Sequence, residues 1–187
     1  MIFNKRFLRF LLVFLGCFFF LYLGTIAWIG IAAPGKLYSP FVEKHLDYVS
    51  WIKHSLMAGT KFFLGIFGYD VISQPDFRVR IAGGKAVLIA MDCVGYGVYS
   101  FWIAYIVANP GRWIFKLSWI LGGVLLLWFI NVVRISLFLL AYNKGWPMPL
   151  GINHHTWFNI FAYVAIFCMM YFVEKKSKIF QSGNHAG

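Results

Sequence analysis

Residues 117–142 read LSWILGGVLLLWFINVVRISLFLLAY. A helix crosses the hydrocarbon core of a bilayer with about 20 apolar residues. This run exceeds that length and holds a single formal charge, Arg134. A centrally placed arginine costs about 2.5–3.5 kcal/mol on insertion scales, and such residues turn toward a bundle interior and a partner. Asn131 stands three residues before Arg134, which places both on one helix face. The stretch therefore predicts a membrane helix with one polar face directed at other helices.

Composition points the same way. Of 187 residues, 61% are hydrophobic and only 12% are charged, whereas a soluble domain is about one-quarter charged. Seventeen Lys and Arg against six acids give a net charge of +11. In a soluble protein that balance would suggest nucleic acid. Here the basic residues flank apolar runs, as charges that orient helices and meet anionic lipid do, so no nucleic-acid partner is expected. Three cysteines without a CxxC pair or zinc-type Cys/His spacing suggest no disulfide framework and no metal site, and nothing calls for a cofactor.

Outward from 117–142, further spans are expected over 7–33, 94–108 and 156–173. The first follows the basic NKRFLRF segment and continues well past Cys17. It is too long for a signal-peptide core, so it reads as an uncleaved helix with Cys17 as a packing thiol. Region 34–92 opens with the breaker APGKLYSP. From Phe41 to Phe67 it places Lys44, His45, Asp47, Lys53, His54 and Lys61 among aromatics and Leu. That is too charged to span, and it suits a membrane surface or packing over the other helices. His45 and His54 read as solvated or interfacial side chains.

Phe77, Val79 and Ile81 then alternate with Arg78 and Arg80, and Val87, Ile89 and Met91 follow Gly83–Gly84. This period-2 pattern predicts a β-hairpin with a two-residue turn, delivering the chain to Asp92–Cys93. Cys93 looks like an exposed thiol at the start of a span, Cys168 like a core thiol, and the 174–187 tail like a frayed cytoplasmic end. The expected fold is an all-α integral membrane protein. It has about four transmembrane helices, an extracytoplasmic amphipathic helical segment and a short β-hairpin, in one domain over 1–187.

Short flanks set the orientation. Lys5, Arg6 and Arg9 precede the first span, Arg112 and Lys116 lie between the second and third, and Lys175, Lys176 and Lys178 follow the fourth. On one side of the membrane they put both termini in the cytoplasm. Cys93 then begins the second span on the outer side, and Arg134 lies about two turns below the outer end of the third. His154 and His155 begin the fourth. A thiol, a guanidinium and an imidazole share one layer. A thiolate is a nucleophile that a nearby cation favours, an imidazole shuttles its proton, and a guanidinium holds an oxyanion or a carboxylate. Asp92 opposes the thiolate unless it pairs with Arg134 or orients the histidine.

These residues resemble the exosortase/archaeosortase family of multi-pass membrane cysteine transpeptidases. The family pattern is Cys at one helix start, Asn-x-x-Arg on the next helix and His at the start of the following one. Here these stand as DCVGYG, NVVRI and NHHTWFN, and the match runs from about Val79 to Val173. Val94–Gly95 stands where many members have Ser-Gly, and the short chain is similar to compact, single-module bacterial members. The resemblance implies Cys93 as nucleophile, Arg134 and His155 as essential partners, and Asn131, His154 and Asp92 in support. His155 is favoured over His154 because the family histidine is commonly followed four residues later by a small or polar residue, here Asn159. It also implies a bacterial inner-membrane enzyme, working on the outer side, that cleaves the C-terminal tail (motif, transmembrane helix, basic cluster) of a secreted protein docked in the bilayer. The acyl group would pass to an amine-bearing acceptor or to water.

Other readings stand beside it. A non-enzymatic scaffold for envelope polysaccharide or protein export explains the apolar bulk but not the gathering of Cys, Arg and His. A lipid-handling protein would use Arg134 and not Cys93, yet the chain has no inverted repeat.

Overall fold

The computed structural model describes residues 5–32, 38–146 and 154–183; the side chains at 92, 154, 155, 158, 159 and 177–183 fall outside that description. Helix α1 covers Lys5–Ala32, α2 Pro40–Leu46 and α3 Tyr48–Ile66. Strands β1 (Val71–Gln74), β2 (Arg78–Ile81) and β3 (Ala86–Leu88) follow, then a 3-10 turn at Met91–Cys93. Helices α4 (Tyr96–Ala108), α5 (Trp113–Lys144) and α6 (His154–Gly183) complete the chain. The protein is mostly helical with one small sheet.

Among the described residues, α1 and α5 are long and apolar enough to cross a membrane. Only Ala32 of α1 is buried, and Phe20 is 78% exposed. The expected second span is a shorter helix: α4 has 13 residues, about 20 Å at 1.5 Å per residue, against a core of about 30 Å. Val94 and Gly95 are withdrawn from it because Gly95, at φ +76°, breaks the 3-10 turn from the helix. α6 extends through Gly183, so the tail that was expected to fray from residue 174 is helical as far as that residue.

Helix α3 explains the amphipathic segment. Val49, Lys53, Leu56, Met57, Thr60 and Leu64 are its buried residues, one helical stripe. Asp47 caps it, accepting from the Ser50 N–H at 3.0 Å and the Ser50 hydroxyl at 2.5 Å. The stripe lies along α5. Trp128 donates to the Ser55 hydroxyl at 3.0 Å, and a Cβ on Gly59 would stand 2.7 Å from Val132 Cγ2. Of the two settings expected for this segment, packing over other helices is the one found. His45 and His54 are exposed, as expected.

The predicted hairpin is the second half of a three-stranded antiparallel sheet in the order β1-β2-β3. Three corrections follow. β1 precedes it, pairing Val71 with Ile81 and Gln74 with Arg78. Phe77 belongs to the β1–β2 turn, with φ +57° beside Asp76 at +59°, so it does not share the alternation of Val79. The second turn takes residues 82–85 rather than two glycines, closed by the Gly84 N–H to the Ile81 carbonyl at 2.8 Å. Val71, Val79, Val87 and Ile89 bury one sheet face against Leu56, Met57 and Leu64 of α3 and Val132, Ile135 and Leu139 of α5.

A second core joins α4, α5 and α6 through Trp102, Ile106, Leu127, Ile166, Met169 and Val173. α1 packs on α4 through aromatic edges such as Phe14–Phe101, 5.3 Å between centroids. The thiols are not distributed as expected. Cys93 is buried, Cys17 half-buried and Cys168 exposed. Cys168 lies on the outward face of α6, whereas Ile166 and Met169 turn inward.

Candidate functional site

Cys93 ends the 3-10 turn, where the sheet hands the chain to α4. Its N–H donates to the Ala90 carbonyl at 3.0 Å, and the side chain packs into the core between sheet, α3 and α5. It is 9% exposed, so the thiol is enclosed rather than displayed. The β-turn into a short 3-10 segment and the left-handed Gly95 aim Cys93 at α5 instead of continuing the helix.

α5 presents two polar residues to that point. Arg134 Nη2 donates to Cys93 Sγ at 3.4 Å, and Arg134 Nη1 donates to Asn131 Oδ1 at 3.2 Å. Asn131 Nδ2 in turn donates to the Cys93 carbonyl at 2.6 Å and contacts the Val94 carbonyl at 3.3 Å. Asn131 is 2% exposed, and the Tyr99 hydroxyl of α4 lies beside it. Its amide ties the guanidinium to the backbone that carries the thiol. A buried amide stripped of these partners costs about 1–3 kcal/mol, so the arrangement resists drift.

Asn131 and Arg134 share a face, as their spacing predicts, and the thiol lies with them. His154 and His155 begin α6, but their side chains, like that of Asp92, lie outside the described residues. Neither the imidazole's reach nor the proposed Asp92 pairing enters the geometry.

Lys53 was read as one more charge of the amphipathic segment, and the structure buries it on the inward stripe of α3. It is buried, with its ammonium 4.5 Å from the centre of the Phe77 ring. Burial pushes its pKa down, while the charges of Asp47 and Cys93 pull it up. Arg134 thus touches the sulfur from α5, and Lys53 is a second cation, buried on α3 in the same core. The helical period offered the signal: Lys53 is four residues after Val49 and three before Leu56, inside the apolar stripe.

A cavity of ≈ 80 Å³ adjoins the thiol, lined by Val87, Leu88, Ile89 and Ala90 on one wall and Cys93, Arg134, Ile135 and Phe138 on the other. A water needs about 10–15 Å³, so it has room for several waters or a small group beside the sulfur. Among the described residues no cluster of metal-binding side chains occurs. Chemically, the arrangement sets one guanidinium against one sulfur beside a largely apolar recess.

Comparison with family models, with curated proteins and with solved structures finds no match.

Proposed function

We propose that this chain is a membrane-embedded cysteine transpeptidase or endopeptidase of the exosortase type, acting on the C-terminal tail of secreted proteins. The observation that carries the reading is the Arg134 guanidinium on the Cys93 sulfur, braced by Asn131. A cation held against a thiol is the setting in which a cysteine serves as nucleophile, and Asn131 holds Arg134 there.

In this reading four spans put both termini in the cytoplasm and the site near the outer face of a bacterial inner membrane. The Cys93 thiolate attacks a backbone carbonyl of the tail. A C–S bond forms, and the carbonyl pair moves onto oxygen. That oxyanion develops one bond from the sulfur, within reach of Arg134, which turns from the thiolate to the new charge. Collapse breaks the C–N bond, and His155 gives its proton to the departing amine. The thioester then passes its acyl group to an amine or to water, and Cys93 leaves as thiolate.

The test is made in cells that secrete tail-bearing proteins, by mass spectrometry of C-terminal peptides in the membrane fraction. Cys93→Ala and Arg134→Gln accumulate uncleaved tails, whereas Cys17→Ala and Cys168→Ala process normally. Normal processing in Cys93→Ala sinks the reading and leaves the export scaffold.

A further inference from the structure

The β3 edge is open, and it borders the thiol cavity. β3 is the last strand of the sheet, paired on one side only. The Ile89 N–H bonds to the Phe77 carbonyl at 2.8 Å, which sets the phase of the ladder. With Val79 opposite Val87 and Arg78 opposite Leu88, residues 87 and 89 direct their backbone groups at β2. Leu88 therefore directs its N–H and carbonyl away from the sheet, and no partner takes them among the described residues.

The neighbouring backbone is closed off. Asn143 of α5 acts like an added peptide at Lys85, accepting from its N–H at 2.6 Å and donating to its carbonyl at 3.2 Å. At the other end the Ala90 carbonyl accepts the Cys93 N–H. Sheet edges are ordinarily blunted with charge, Pro or a bulge, and β3, Ala-Val-Leu, carries none of these. Four consecutive residues, Val87 to Ala90, line the cavity. Side chains of a strand alternate between faces, so a space touching four in a row lies along the edge. Cys93 and Arg134 line the same cavity.

We propose that this edge is a peptide-binding subsite: an extended backbone of the cleaved chain pairs with Leu88 as a fourth strand and is led to the Cys93 sulfur. This deepens the transpeptidase reading and rests on it. The occupant is a polypeptide in β conformation, because the free groups are one N–H and one carbonyl at strand spacing, about 4.8 Å from the added strand. Recognition through backbone would make the subsite tolerant of side-chain identity next to the cut.

The test uses the full chain in detergent with Cys17→Ala and Cys168→Ala. Alkylation of Cys93 by acetyl-tetra-alanine chloromethyl ketone is timed against alkylation by iodoacetamide, which has no peptide strand to pair. The expected result is a peptide-to-iodoacetamide rate ratio that falls ~3- to 10-fold in Leu88→Pro, the worth of one net hydrogen bond. Proline removes the outward N–H and leaves the β2 ladder intact. A second measurement needs no variant: N-methylating alternate nitrogens of the reagent lowers the ratio in one phase and not in the other. A ratio indifferent to both changes overturns the edge while leaving a reactive thiol. A Cys93 inert to both reagents in folded protein, yet alkylated on unfolding, overturns the thiol reading and this proposal with it. Loss of a dimer in Leu88→Pro at unchanged ratio assigns the edge to a second copy and also overturns it.

Discussion

Lys53 sits where a leucine would be expected on α3, and its charge is held there by Phe77, Asp47 and Cys93 rather than by water. Its lowered pKa means that the unfolded chain binds the proton more tightly than the folded one. The charged form then costs stability at every pH below the folded value. That cost is relieved as pH rises toward the ordinary lysine pKa of about 10.4. Lys53→Met is expected to raise the thermal midpoint at neutral pH, with the gain vanishing near that upper limit; unfolding in detergent across pH measures it. The same substitution slows Cys93 alkylation a few-fold, because a cation coupled electrostatically to Cys93 is gone. Arg134→Gln slows it further, about tenfold or more, as loss of a hydrogen bond to a charged group predicts. Equal rates in both variants and the unmodified protein would mean the cations serve packing alone. At this scale Asn131 and Arg134 were legible from their three-residue spacing. Burial of Cys93 was not, because the sheet and α3 that cover it are distant in sequence.

The helices separate two neighbouring glycines that look identical in the sequence. A Cβ on Gly123 would stand 2.0 Å from Trp102 Nε1, where that indole donates to the Trp119 carbonyl at 3.0 Å. A Cβ on Gly122 meets nothing within 4 Å. Gly123→Ala is therefore expected to destabilise by about 1–3 kcal/mol through overpacking of α4 on α5. Gly122→Ala should be neutral or favourable by up to about 1 kcal/mol, since Ala suits a helix interior better. Thermal melts of the two single variants decide, and opposite signs are the diagnostic outcome. The sheet makes a similar point. Val79 and Val87 were readable as inward positions, but β1, only Val-Ile-Ser-Gln, has too short and too polar a pattern to announce itself and exists through pairing with β2.

For the molecule as a whole, α1, with only Ala32 buried, and α5, with a row of exposed apolar residues, are the two helices long and apolar enough to cross a membrane among the described residues. The proposed topology, with four spans and cytoplasmic termini, would direct the β1–β2 turn outward and the α4–α5 link inward. Asp76 and Arg112 are both exposed, so single-cysteine versions Asp76→Cys and Arg112→Cys report on the two sides. An impermeant maleimide on intact cells should label the first at once and the second only after permeabilisation. The reverse order would turn the site to the cytoplasm and remove secreted tails as substrates.

Sequence alone determined the apolar helices, Arg134 as the one charge in the 117–142 run with Asn131 on its face, and Cys93 at the junction of sheet and helix. Hydrophobic run length, helical period and chain order are local quantities, and one chain carries them in full. Tertiary structure decided that Cys93 is enclosed, that Arg134 reaches its sulfur while Lys53 is buried against Phe77, that Gly123 and not Gly122 is a contact, and that the β3 edge stays open beside the thiol. Each depends on which surfaces meet across dozens of residues, and packing of separate elements, unlike periodicity, is written in no single stretch.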